Sequence, residues 1–410
     1  MRLNRFVWAF CTLSALANTG LAGIAANPTA SNARSPVANA SASAASAPIP
    51  ATSVHASSVP ASSIPIIKLP TEGTLSIEIV RGPQYEEHSA LSEHVKDLYK
   101  KKDFAAIDAL AENLLSSKKT YWNGVWYLET LMHELQADGA GQQSTKEFEK
   151  YLETLNEWIK KSPNSQTPRA ALIEAWIKYA WKARGSGYAD SVTEEGWKQF
   201  GERLKKAAAV VEAAKGMHTP TLYTAEETLA LGQSWDKKAF NKMFDEGIKY
   251  NPDYFDLYFR KVYFLLPRWN GSEGEFESFV DRAANKMGGD KGDIFYARMV
   301  NHFFSRRIEG DDVFKNTKLS WKRTKKGFEL LLKQYPNSLD VESEYAKLAT
   351  VADDEEIAKG MFEKIGNRCN KDTWTRGEFI KAKQKATSYK AGAKATRARN
   401  EDDEDAEPEK

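Results

Sequence analysis

Along most of the chain, apolar residues recur at intervals of three and four rather than two. Ile107, Leu110, Leu114 and Leu115 form one stripe, Phe148, Leu152, Leu155 and Ile159 a second, and Ala171, Ile173, Trp176, Ile177 and Ala180 a third. That period gathers side chains on one face of an α-helix, whereas strict alternation would gather them on one face of a strand. The spacing predicts an all-α body between Leu69 and Ala386. Start and stop signals agree. Thr167-Pro168 and Thr219-Pro220 each put a proline in a first helical turn, where its missing N–H costs nothing, and Gly185-Ser-Gly187 closes the helix that carries Trp176 and Trp181. Only Leu75 to Val80 alternates like a strand. A lone strand has no partner, so an extended lead-in packed on the first helices is expected there.

Three turns share one pattern: Lys160-Lys-Ser-Pro163-Asn-Ser, Lys249-Tyr-Asn-Pro252-Asp-Tyr and Lys333-Gln-Tyr-Pro336-Asn-Ser. Eight residues before each proline stands Leu155, Phe244 or Phe328, and four before it Ile159, Ile248 or Leu332. Ten after it comes Ile173, Val262 or Ala346, and thirteen after it Trp176, Leu265 or Ala349. An apolar i, i+4 pair, a proline that cannot continue a helix, and a second apolar stripe describe a helical hairpin whose inner faces meet. The prolines are 89 and 84 residues apart, which leaves room for about two hairpins per interval.

This turn chemistry resembles the junction between tetratricopeptide repeats, although no 34-residue period runs through the chain. The fold expected is an irregular solenoid of helical hairpins, tetratricopeptide-like, flanked by a disordered N-terminal linker and a disordered C-terminal tail. Asp103-Phe-Ala-Ala-Ile-Asp-Ala-Leu-Ala111, Arg184-Gly-Ser-Gly-Tyr-Ala189, Gly196-Trp-Lys-Gln-Phe200 and Leu265-Leu-Pro-Arg-Trp-Asn-Gly-Ser272 further resemble an exported bacterial family of unknown function with such a body. The resemblance covers roughly Leu91 to Ala386. It implies fold and export, and it carries no activity over.

The ends of the chain read differently from its middle. Arg2 and Arg5, an apolar run from Phe6 to Ala17 and small residues up to Ala26 have the layout of a secretory signal peptide over 1–26, which predicts export, most simply to a bacterial periplasm. From 27 to 67, 27 of 41 residues are Ala, Ser or Pro and none is aromatic, so no apolar face can offset the entropy of ordering; a linker is expected. The helical domain then spans 68–388. A basic-then-acidic tail over 389–410 carries Lys390, Lys394, Arg397 and Arg399 ahead of the run Glu401 to Asp405.

Charge and cysteine content narrow the chemistry. The chain has 58 Lys+Arg against 56 Asp+Glu, and without Arg2 and Arg5 the two are equal, so binding to nucleic acid through bulk charge is not expected. Cys11 and Cys369 are the only cysteines, too few for a disulfide framework or a cysteine-built zinc site. No phosphate-binding loop, zinc-protease motif or nucleophile elbow is present, and no cofactor or metal is expected. Cys369, beside Arg368, reads as an incidental thiol, and His302, between Asn301 and Phe303, as a core or interface histidine. Two segments combine a cation with an indole: Arg184 with Trp197 on the following helix, and Arg268-Trp269 at the end of a very apolar helix that includes Tyr254, Phe255, Tyr258 and Phe259. A guanidinium beside an indole can hold a carboxylate, a peptide end or a sugar face; equally, such residues can plug the gap between hairpins. Arg184, Trp197, Arg268 and Trp269 are therefore the candidate partner-binding residues of a non-catalytic scaffold for an unidentified protein or peptide. The alternative is an envelope enzyme acting on peptidoglycan or another saccharide, with Glu273, Glu275 or Glu277 as general acid in an exposed first helical turn.

Overall fold

The computed structural model describes residues 77–136, 144–185, 191–308 and 311–388. The expected signal, linker and tail segments lie outside the described residues. In chain order, β1 (Glu78–Val80) leads into α1 (Pro83–Lys101), α2 (Phe104–Ser117), α3 (Tyr127–Leu135), α4 (Thr145–Lys161) and α5 (Thr167–Arg184). Then follow α6 (Glu194–Ala213), α7 (Pro220–Gly232), α8 (Lys237–Tyr250), α9 (Phe255–Phe264), α10 (Glu275–Met287) and α11 (Gly289–Ser305). The short α12 (Val313–Asn316), α13 (Trp321–Gln334), α14 (Leu339–Val351), α15 (Glu355–Ile365), β2 (Arg368–Asn370) and α16 (Arg376–Ser388) complete the described chain. The body is all-α, as the apolar spacing predicts.

The three proline turns join α4 to α5, α8 to α9 and α13 to α14. Leu155, Phe244 and Phe328 on the first helices are buried, as are Ile173, Val262 and Ala346 on the second, so the inner faces of each hairpin supply core. The two helices of a hairpin differ in kind. α4 buries only Phe148, Leu152, Leu155 and Trp158 of its 17 residues, the narrow stripe of a helix with one face in water. In α9, eight of ten residues are buried, and α5, α7, α11 and α14 are likewise covered on most sides. These are interior helices, and a polar side chain on one of them has to find its partners inside the protein.

Consecutive hairpins pack on their neighbours, an arrangement consistent with a helical-hairpin solenoid. The two ends of the described chain also meet. β1 is not the unpartnered lead-in expected from the sequence: it pairs in parallel with β2, Ile79 opposite Cys369, across 290 positions of chain. Local pattern could not reveal a partner at that separation. Asp340, at the start of α14, sits against the same joint: its carboxylate accepts from the Gln84 amide in the first turn of α1 (3.3 Å) and from Asn370 Nδ2 in β2 (2.9 Å). α1 has no capping side chain of its own, so this distant carboxylate takes that role. A Cβ on Gly82 would lie 1.6 Å from Asp340 Oδ1, which explains the glycine.

Candidate functional site

Four interior helices bring their charged residues together. Arg260 of α9 donates through Nε to Asp256 Oδ2 (2.9 Å) and through Nη1 to Glu174 Oε1 of α5 (2.9 Å), to the Thr224 carbonyl of α7 (3.1 Å) and to Thr228 Oγ1. Thr228 in turn donates to Glu174 (3.2 Å). The Arg260 and Glu174 side chains each keep only 9% of their exposure, so this is a buried ion pair tying α5, α7 and α9. Two further carboxyls stand near it, neither in an ion pair among the described residues. Burial, and next the charge of Asp256, push Glu129 of α3 well above the usual carboxylate range. Burial does the same to Glu227 of α7, with Arg260 opposing it. One oxygen of Glu129 and both of Glu227 have no hydrogen-bond partner among the described residues. Lys261, on the next position of α9, lies with its ammonium 3.8 Å over the Phe244 ring, and burial brings its pKa down to about 8.

Three of these helices, α3, α5 and α7, wall a groove of about 510 Å³ together with α2. Its apolar side is built by Ala111 and Leu115 of α2 with Leu128 and Met132 of α3; the polar side comes from the α4–α5 turn, from Asp108 and Glu112 of α2 and from Thr219 and Thr221 at the start of α7. Asp108 is committed to the protein, accepting from Trp158 Nε1 (3.1 Å) and Ser165 Oγ (2.6 Å). Glu112 is exposed and makes no ion pair among the described residues, and the buried Oε1 of Gln166 has no hydrogen-bond partner there. α5 and α7 both begin at this groove without a side-chain cap, each with a proline in its first turn. The α8–α9 turn has the same sequence pattern but is filled: the Trp126 indole donates to the Asp253 carbonyl 3.1 Å away.

The cation–indole residues read from the sequence occupy two separate places. The Arg184 guanidinium lies 5.3 Å from the Trp181 ring and 5.2 Å from that of Trp197, so α5 and α6 do bring Arg184 and Trp197 together. Trp197 is 41% exposed, one of few large apolar side chains to be so. Arg268 and Trp269 sit in the turn after α9. Arg268 is exposed, donates to the Ile308 carbonyl (3.3 Å) and lies over the Tyr263 ring; Trp269 is half-buried against the core, its Nε1 covered and without a hydrogen-bond partner among the described residues. The three glutamates diverge. Glu273 is exposed, while Glu275 is held by Lys237 (2.7 Å) and by the Ser272 amide and hydroxyl. Glu277, expected in an exposed turn, is buried, because the turn points its side chain toward Lys318, whose amide donates to it (3.4 Å).

His302 stacks flat on Phe259 at 3.8 Å, and burial holds its pKa well below the usual histidine value. Cys369 is buried in β2, where burial raises its thiol pKa despite the basic neighbours expected to lower it. Among the described residues no group of three or more His, Cys, Asp or Glu is placed to hold a metal ion, and no helix is long and apolar enough to cross a membrane. Glu129, Glu174, Glu227, Asp256 and Arg260 were not singled out from the sequence, although a signal was there. Asp256 and Arg260 stand i, i+4 inside a helix of which eight of ten residues are buried, so a charge there is driven into the interior. No family model, curated protein or solved structure matches the chain.

Proposed function

We propose that the protein is an exported helical-repeat scaffold that binds a peptide or protein partner and performs no catalysis itself. The observation that carries this reading is the groove between α2, α3, the α4–α5 turn and α7: an apolar side, a polar side and helix starts without side-chain caps, with a buried ion-pair network joining α5 to α7. Export, the periplasm as the working compartment and kinship with the exported family belong to the same reading and rest on residues 1–26 and on the segments quoted above. The half-buried Arg184 beside the exposed Trp197 is the second surface on which such a partner can rest.

The test is capture from native envelope extract with the full chain, beside Leu115→Glu and a Trp197→Ala/Arg184→Ala variant. A partner lost with Leu115→Glu, while helicity and melting temperature hold, supports the groove; loss only with the second variant moves the site to α5–α6. A partner retained by both variants overturns both placements. One observation favours the enzyme alternative: Glu277 is buried with one oxygen lacking a hydrogen-bond partner among the described residues. Release of reducing ends from peptidoglycan by the native chain and not by Glu277→Gln would establish it in place of the scaffold.

A further inference from the structure

Building on the groove as the partner site, we infer that its occupant is an extended peptide segment whose lysine or arginine side chain reaches the Glu112 end. Two features on the polar side point the same way. The acidic side chains Asp108 and Glu112 line the groove, and among the described residues no basic side chain does. The buried side-chain oxygen Oε1 of Gln166 is an acceptor without a donor among the described residues. A groove with acidic lining and a spare acceptor is complementary to a cationic donor. Asp108 is already bonded to Trp158 and Ser165, so Glu112 is the carboxylate available to the ligand.

A simple cation would not use the remainder of the groove. The starts of α5 and α7 have no side-chain cap, so their first-turn amides, the prolines apart, suit acceptors, and Leu115, Leu128 and Met132 form an apolar wall. A polypeptide supplies all three complements at once: backbone carbonyls for the helix starts, an apolar side chain for the wall and a basic side chain for Glu112. A basic stem of methylenes also packs on apolar surface while its charged end stays near the carboxylate.

The experiment uses the full chain on an immobilised positional-scanning heptapeptide library, in which each pool fixes one position as lysine, arginine, norleucine or glutamate. Lysine and arginine pools should be retained several-fold over norleucine pools and should be released by added salt. In Glu112→Gln, whose exposed site leaves folding undisturbed, the preference should fall away while norleucine pools are held as before. Equal retention of basic and norleucine pools, or a basic preference unchanged in Glu112→Gln, overturns the inference and leaves the groove reading standing. Retention of no pool, with 389–410 present or removed, overturns the groove reading itself. Retention that emerges only when 389–410 is removed reassigns the occupant to the chain's own basic segment, from Lys390 to Arg399, and overturns a separate partner.

Discussion

Arg260 is the side chain on which most depends, because one guanidinium answers carboxylates or carbonyls from α5, α7 and α9. In Arg260→Leu, Glu174 and Asp256 would face one another in the interior with no counter-charge. A loss of about 3–5 kcal/mol in urea denaturation is expected. Native-like stability in that variant would show the network to be incidental. The neighbouring glutamates should behave in the opposite way. Burial pushes Glu129 and Glu227 well above the usual carboxylate range and so favours their neutral form, which glutamine resembles in shape; Glu129→Gln and Glu227→Gln should fold with nearly native stability. Burial and the charge of Glu246 carry Glu226 to about 7; burial, offset in part by Lys347, does so for Glu344. The sign follows from linkage. A carboxyl that keeps its proton in the fold but loses it on unfolding near 4.5 contributes fully below that pH, and the contribution fades as pH rises through the folded value. The melting temperature should therefore drop between about pH 4.5 and 7, and the drop should shrink in Glu226→Gln/Glu344→Gln. Glu134 acts outside that window. Burial opposes its charge, but His133, Ser92 and Lys96 hold it down to about 2, so its contribution is lost only in stronger acid.

At the scale of the elements, packing and helix propensity can be set against each other. Gly327 lies where α13 crosses α11; a Cβ there would stand 2.2 Å from the Asp293 carbonyl oxygen and 2.5 Å from the Ala297 side chain. Alanine favours a helix over glycine by about 1 kcal/mol, yet overpacking a close crossing costs about 1–3 kcal/mol. Packing should win, and Gly327→Ala should lower the denaturation midpoint. Gly360 in α15 has open space around its missing Cβ, so Gly360→Ala should raise it. If the two substitutions shift the midpoint in the same direction, the α11–α13 contact is looser than described. The same contrast separates the two kinds of helix. α4 shows its stripe clearly because one face meets water, whereas α5 and α7 blur theirs because nearly every side is covered.

For the whole molecule, the joint between its ends is the feature to test. Asp340 connects the first turn of α1 to β2, and β1 lies on β2. Asp340→Ala leaves the α1 start uncapped and Asn370 without its acceptor, at an expected cost of about 1–3 kcal/mol. Amide exchange should quicken at β1 and at the first turn of α1 while α5 and α7 keep native protection. Uniform quickening would mean that the joint and the interior open as one unit.

The sequence by itself determined the helices, their proline-marked turns and the apolar faces inside each hairpin, since all of these depend on residues within a few turns of one another. Phe244, Ile248, Pro252 and Val262 spell out one hairpin in nineteen residues. Tertiary structure alone decided what lies far apart in the chain: the pairing of β1 with β2, the capping of α1 by Asp340, and the meeting of Glu129, Glu174, Glu227 and Arg260 from four helices. Each of those residues carries its charge in the sequence. Only when neighbouring helices remove its water does that charge acquire a partner, a shifted pKa and a place in the site.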